Sequence, residues 1–266
     1  MALEAHRLAG QLTLANLRLI PRLDIKGPDL IKSVQLEGVR KVGDPRTFAR
    51  RYYADGADEI IYMDAVASLY SRDTLTELVR RTAEEVFVPI TVGGGLRTAD
   101  DVRAMLRAGA DKVAINSAAT QRPELIREVA ERFGAQCMVL QIDAKQAQPQ
   151  RWEALRDGGR ERTGLDVVEW AKRAEGLGAG EILLTSVDRE GTRRGFDIDL
   201  IRAVTKAVSI PVIASGGMGS MDHLLAAAIE GTADAIAMAH VLHYGVLGLP
   251  EIRRQARVHG LKVRPI

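Results

Sequence analysis

The chain has 266 residues, 46% apolar, 27% charged and only 4% aromatic, with 37 Lys and Arg against 35 Asp and Glu for a net charge of +2. That balance excludes a protein that coats nucleic acid, which needs a surplus of Lys and Arg, and the apolar share excludes a disordered chain. The single cysteine, Cys137, excludes an intrachain disulfide framework and fits a reducing, cytoplasmic setting, and no stretch nears the ~18 uninterrupted apolar residues of a membrane span.

In chain order, residues 1–14 are interrupted by Glu4, His6 and Arg7 and read as a short N-terminal extension rather than a secretion signal. Residues 15–266 read as one domain. Its first apolar run, Leu19–Asp24, predicts a strand. A connection over 26–44 follows and reads as structureless; it carries Lys26, Lys32, Arg40 and Lys41, and is either a cationic lid or a solvated charged loop. Asp44 before Pro45 opens a helix. The strand Glu59–Asp64 and a helix opening at Ser71 come next, then the strand Ile90–Val92. Thr98 begins a helix to Leu106, with Asp101 three residues on as in a capping box. The strand Lys112–Asn116 precedes a helix from Arg122 to Phe133, stopped by Gly134. Strands Cys137–Asp143, Glu181–Ser186, Val212–Ser215 and Ala235–Met238 then alternate with helices 165–177, 197–208, 220–230 and 250–259.

Eight near-continuous apolar strands, each followed by a helix, define an α/β protein. The expected architecture is a (β/α)8 TIM barrel; the alternative is a doubly wound open sheet. An internal repeat favours closure. Val88-Pro-Ile-Thr-Val-Gly-Gly-Gly aligns with Ile210-Pro-Val-Ile-Ala-Ser-Gly-Gly, and the offset of 122 also relates Asp100 to Asp222 and Gly109 to Gly231. Leu23-Asp24-Ile-Lys26 matches Ile142-Asp143-Ala-Lys145 at an offset of 119. A half-barrel duplication produces this pattern.

In such a barrel functional groups stand where strands end. Asp24 ends strand 1 and Asp143 ends strand 5, so they face each other across the mouth. Paired carboxylates can divide acid and base roles; the plainer reading is that each caps a helix or pairs with Lys26 or Lys145. Gly94 and Gly95 follow strand 3, and Ser215, Gly216 and Gly217 follow strand 7. Glycine turns before a helix offer N–H groups to an anion, though tight turns use them too. Asn116 and Ser117 end strand 4 with side chains that can donate to phosphate, and Ser186 ends strand 6. Each half thus carries a candidate phosphate cradle, and a ligand with two phosphates would span the mouth. The small cationic pairs Arg22/Lys26 and Arg193/Arg194 can also meet a phosphate. At the strand starts stand Arg18, Glu59, Lys112 and Glu181: a closed charge ring at the barrel floor, either a salt-bridge plug or a gate. His240 and His243 flank the end of strand 8, but no cluster has metal-ligand spacing, so no metal and no cofactor is expected. Cys137 reads as core, and Tyr52 and Tyr53 as packing and surface positions of the first helix.

These motifs, with Val42-Gly-Asp-Pro45, Gly56-Ala-Asp-Glu-Ile-Ile-Tyr-Met-Asp64, Gly109-Ala-Asp-Lys112-Val-Ala-Ile-Asn116 and Gly178-Ala-Gly-Glu-Ile-Leu-Leu-Thr-Ser186, resemble the cyclase subunit of imidazole glycerol phosphate synthase, from Arg18 to the C-terminus. The resemblance implies a heterodimer with a glutaminase subunit, whose ammonia crosses the barrel. At the mouth that ammonia would meet phosphoribulosyl-formimino-aminoimidazole carboxamide ribonucleotide, a substrate with two phosphates. By matching position, Asp24 and Asp143 are the acid/base pair, Lys32 the lid lysine and Asp64 a supporting carboxylate. Arg18, Glu59, Lys112 and Glu181 match the ammonia gate, and Glu190, Gly191, Ala239 and His240 fall at the second cradle. The chain departs from the family at Glu190 (usually Asp), His240 (usually Ser), Arg22 (usually Cys) and the lid segment Lys32-Ser-Val-Gln-Leu-Glu. These departures keep open a divergent paralogue that delivers ammonia to a surface-polysaccharide sugar. The sister isomerase of the same pathway needs no ammonia, and the four floor charges argue against it.

Overall fold

A computed structural model of the chain describes residues 16–65 and 72–265. The expected extension over residues 1–14, and Ser71 at the opening of the second helix, lie outside them. β1 (Arg18–Lys26) runs into an antiparallel hairpin, β2 (Asp29–Val34) and β3 (Glu37–Gly43). The connection over 26–44 is therefore not structureless, which corrects the expectation. After α1 (Pro45–Ala54) come β4 (Ile60–Asp64), α2 (Arg72–Ala83), β5 (Ile90–Gly93), α3 (Ala99–Ala108), β6 (Lys112–Ile115), a short α4 (Ser117–Gln121) and α5 (Glu124–Phe133). The second half opens with β7 (Met138–Gln148) and repeats the device: β8 (Arg151–Arg156) and β9 (Glu161–Asp166) extend it antiparallel. Then follow α6 (Val167–Gly176), β10 (Glu181–Ser186), α7 (Ile198–Thr205), β11 (Val212–Ser215), α8 (Met221–Ile229), β12 (Ala235–Met238), the short α9 (His240–His243) and α10 (Leu249–Val258).

The barrel closes because β12 pairs in parallel with β1 and β7 pairs in parallel with β10. The ring order is β1-β4-β5-β6-β7-β10-β11-β12. An open doubly wound sheet would keep two edges, so it is excluded. Local chemistry explains several helix starts. Asp44 accepts from the Thr47 amide at 2.7 Å, and Thr98 and Asp101 form the expected capping box.

Strand alternation sorts side chains to two sides. Outward residues pack under the helices in the large core cluster that holds Leu19, Leu23, Ile60, Leu140, Ile182 and Ile236. Inward residues form a second cluster of Ile20, Ile61, Met63, Ala114, Val139, Leu183, Ile213, Ala235 and Ala237. Along β1 the inward order is Arg18, Ile20, Arg22, Asp24. The lumen is thus layered: charges at the floor, an apolar middle, then polar groups rising to the mouth.

Candidate functional site

Asp24 and Asp143 stand four strands apart in a ring of eight, on opposite sides of the mouth. Both are buried, at 5% and 2% exposure, so each needs partners. Asp24 Oδ1 accepts from Arg22 Nε at 2.9 Å, and its Oδ2 lies 3.9 Å from Lys32 Nζ. Asp143 receives neutral donors: Asn116 Nδ2 at 2.9 Å to Oδ2 and Gln141 Nε2 at 3.1 Å to Oδ1. Neither Asp is a helix cap. Burial alone would raise Asp24, but Arg22, then Lys32 and His243, carry it below the usual carboxylate range. Burial prevails at Asp143 and pushes it up, against Arg22, Gln141 and Asn116.

The second cradle is compact. Gly216 and Gly217 turn at φ +92° and +110°. A Cβ at Gly217 would lie 2.2 Å from the Gly195 carbonyl oxygen, so only glycine fits. Around these turns lie Arg22, Lys32, Glu190, Gly191, Ser215, Ala239 and His240. Lys32 is buried and ion-paired with Glu190, and the space left between these groups is about 20 Å³, room for a single water. His240 opens α9, contacts the Tyr244 ring at 4.5 Å, and is held below its ordinary value first by burial and then by Arg193 and Lys32. Ser186 is buried, and its hydroxyl finds no hydrogen-bond partner among the described residues.

The first cradle repeats this at the 122 offset. Gly94 and Gly95 turn at φ +100° and +67°. A Cβ on Gly94 would meet the Asp64 carbonyl oxygen at 2.4 Å, as one on Gly216 would meet that of Ser186 at 2.9 Å. Asp64 ends β4 beside this turn. Asn116 departs from expectation. Its amide N–H groups go to Asp143 and the Leu155 carbonyl, so it positions the carboxyl instead of offering them to phosphate; its Oδ1 is buried without a partner among the described residues. Ser117 Oγ accepts the Asp157 amide at 2.9 Å and so ties the β8–β9 turn to the mouth.

At the opposite end, the four floor charges close into a ring of alternating sign. Arg18 bonds Glu59 at 3.0 Å and also pairs with Glu181; Lys112 bonds Glu59 at 2.9 Å and Glu181 at 2.8 Å. Thr91 Oγ1 donates to the free oxygen of Glu59 at 2.5 Å. Each buried glutamate therefore meets two cations.

Arg22, read with Lys26 as a pair that can meet a phosphate, points into the lumen. It is 3% exposed and paired within the lumen, because β1 alternation turns it inward. Arg193 and Arg194 are exposed beside the second cradle. Gln141 and Thr185 were not singled out from the sequence. A polar residue two places before a strand-end Asp, inside an otherwise apolar run, was the signal for Gln141. Cys137 is core, and burial pushes its thiol up. Tyr52 is a packing position, buried against His243. Among the described residues no group of three or more His, Cys, Asp or Glu is placed to hold a metal ion, and no helix is long and apolar enough to cross a membrane.

The architecture is that of a duplicated (β/α)8 barrel with a carboxyl pair at its mouth. A family model described as histidine biosynthesis protein matches residues 18–248. Over 209 residues the chain is 63% identical to imidazole glycerol phosphate synthase subunit HisF of Legionella pneumophila, covering 79% of this chain and 99% of the relative. Over 249 residues it is 55% identical to the subunit of the same name from Myxococcus xanthus strain DK1622, covering 94% and 98%. The chain belongs to the histidine biosynthesis protein family, among relatives named as subunits of that synthase. The polysaccharide alternative is not favoured.

Proposed function

We propose that the chain is the cyclase subunit that uses ammonia from a glutaminase partner, in the cytoplasm, to convert phosphoribulosyl-formimino-aminoimidazole carboxamide ribonucleotide to imidazole glycerol phosphate and the aminoimidazole carboxamide ribonucleotide. The observation that carries this reading is the pair of buried, opposed carboxyl groups between two glycine turns. Addition of ammonia to the ribulosyl carbonyl needs an acid at the departing oxygen and a base for the ammonium protons. Ring closure on the formimino carbon then expels an amine, which must be protonated as it leaves. One carboxylic acid and one carboxylate on opposite sides of the mouth meet these demands.

In this reading Asp24 and Asp143 exchange the protons. Gly94, Gly95, Ser117 and Asp64 receive one end of the substrate, and Ser186, Gly191, Ser215, Gly216, Gly217, Ala239 and His240 receive the other. Lys32 and Glu190 govern access beneath the β2–β3 hairpin. Arg18, Glu59, Lys112 and Glu181 admit ammonia at the floor.

The test is turnover of the bis-phosphate substrate with an ammonium salt, without any partner. Formation of the imidazole product is expected. Asp24→Asn and Asp143→Asn should each lower the rate by about 100-fold or more with circular dichroism unchanged. Near-normal turnover in either variant overturns the acid/base assignment, and no product from the folded wild-type chain overturns the substrate.

A further inference from the structure

The two barrel halves agree at Asp24 and Asp143 and differ two residues earlier. The offset of 119 that relates Asp24 to Asp143 also relates Arg22 to Gln141. Two steps along a strand return to the same face, so both side chains enter the lumen, and each bonds the Asp of its own strand. One partner is a permanent cation and the other a neutral amide. The guanidinium is also tethered. Its Nη1 crosses the lumen to Thr185 Oγ1 at 2.9 Å on β10 and to Ser215 Oγ at 3.1 Å on β11. All three residues are buried, so the charge cannot swing away.

The other groups facing the pair do not restore symmetry. Lys32 from β2 approaches Asp24 alone, at 3.9 Å, and its charge is shared with Glu190. His243 from α9 also faces Asp24; burial lowers its imidazole to about 4, so it carries a charge only at acid pH, and it acts there on Asp24. Asp143 meets the Asn116 amide from β6. Arg22 is closest to Asp24, with Glu190 and Asp143 the other carboxyl groups in its field.

We propose that Arg22 is a positioning residue that breaks the symmetry of the duplicated pair: its tethered guanidinium holds Asp24 as the proton acceptor, while Gln141, a neutral partner, leaves Asp143 as the proton donor. The inference rests on the acid/base reading of the two aspartates. The opposite directions in which Asp24 and Asp143 are displaced agree with it.

The experiment is a carboxyl titration of the full chain labelled with ¹³C at the aspartate side chains. Asp24→Asn and Asp143→Asn assign the two resonances by deleting one each. In the wild type, Asp24 should be ionised at a pH where Asp143 is still protonated; coincident or reversed midpoints overturn the proposal without any variant of Arg22. Arg22→Gln gives both halves the same neutral partner. It should raise the Asp24 midpoint, and the acidic limb of the pH–rate profile with ammonium salt, by about one unit or more. Arg22→Lys keeps the charge and should return both toward wild type. A rate loss with unmoved midpoint and limb, or a Lys variant no different from the Gln variant, assigns Arg22 a merely structural role and overturns the proposal. Retained turnover in both Asp→Asn variants instead sinks the acid/base reading, and the titration still reports the asymmetry by itself.

Discussion

His243 shows how one residue acquires a pH dependence from its surroundings. Its ring stacks on Tyr52, meets Phe48 edge-on, and shares a hydrogen bond with the Tyr52 hydroxyl at Nδ1, 2.6 Å away. Its Nε2 is buried without a partner among the described residues. Burial lowers the imidazole from 6.5 to about 4. Between those values the unfolded chain binds a proton that the folded chain refuses. The contribution of this residue to stability is therefore complete above about pH 6.5, falls as pH drops toward 4, and changes no further below. The loss amounts to about 3 kcal/mol. Urea midpoints at pH 7 and 4.5 should differ less in His243→Gln than in the wild type; an unchanged difference rejects this assignment. At this scale the catalytic candidates were legible, because Asp at a strand end stands out in an apolar run. Their partners were only partly so. Arg22, with Lys26, and Asn116 both read as phosphate partners, since a sequence does not show which hydrogen bonds a buried side chain has already spent.

The β2–β3 hairpin makes the same point one level up. Its turn residues Gln35 and Leu36 both have positive φ, at 51° and 63°. Asn-Gly or Asp-Gly ordinarily marks such a turn, so the usual signal is absent and the segment read as loop. The β8–β9 turn carries Asp157, Gly158 and Gly159, all at positive φ, and that signal was there to be used. The hairpin lies across the loop after β10. The Gln35 amide donates to the Glu190 carbonyl at 2.8 Å, and the backbone around Ser33 and Val34 passes so close to Gly191 that no Cβ fits there. Lys32 and Glu190 latch it from beneath. Both latch residues also line the pocket at the second cradle. Lys32→Ala leaves Glu190 buried without its cation. Amides of residues 29–43 should then exchange hydrogen at least about tenfold faster, while those of β5 and β6 are unchanged. Unchanged exchange in the hairpin would show that Lys32 does not hold it down.

Over the whole molecule, duplication sets the plan and small departures from it distinguish the two halves. Glu59 and Glu181 are equivalent at the 122 offset, yet the cations that join them, Arg18 and Lys112, come from β1 and β6. Removing one cation leaves two buried glutamates with a single partner. Lys112→Met should cost about 3 kcal/mol in urea unfolding. If the ring admits ammonia, the same variant should impair glutamine-driven turnover with the glutaminase partner more than turnover with ammonium salt. Equal loss in the two assays would make the ring a plug and nothing more.

By itself the sequence determined the eight strands, most helix starts, the duplication and the residues at the strand ends. These follow from local patterning: apolar runs, caps and glycine turns act within a few residues of each other. Only the tertiary structure decided that Arg22 reaches Thr185 and Ser215, that Lys32 meets Glu190, and that Asn116 serves Asp143. Those contacts join strands and loops from 27 to 193 residues apart in the chain, and they exist only once the barrel has closed and turned alternate side chains into one lumen.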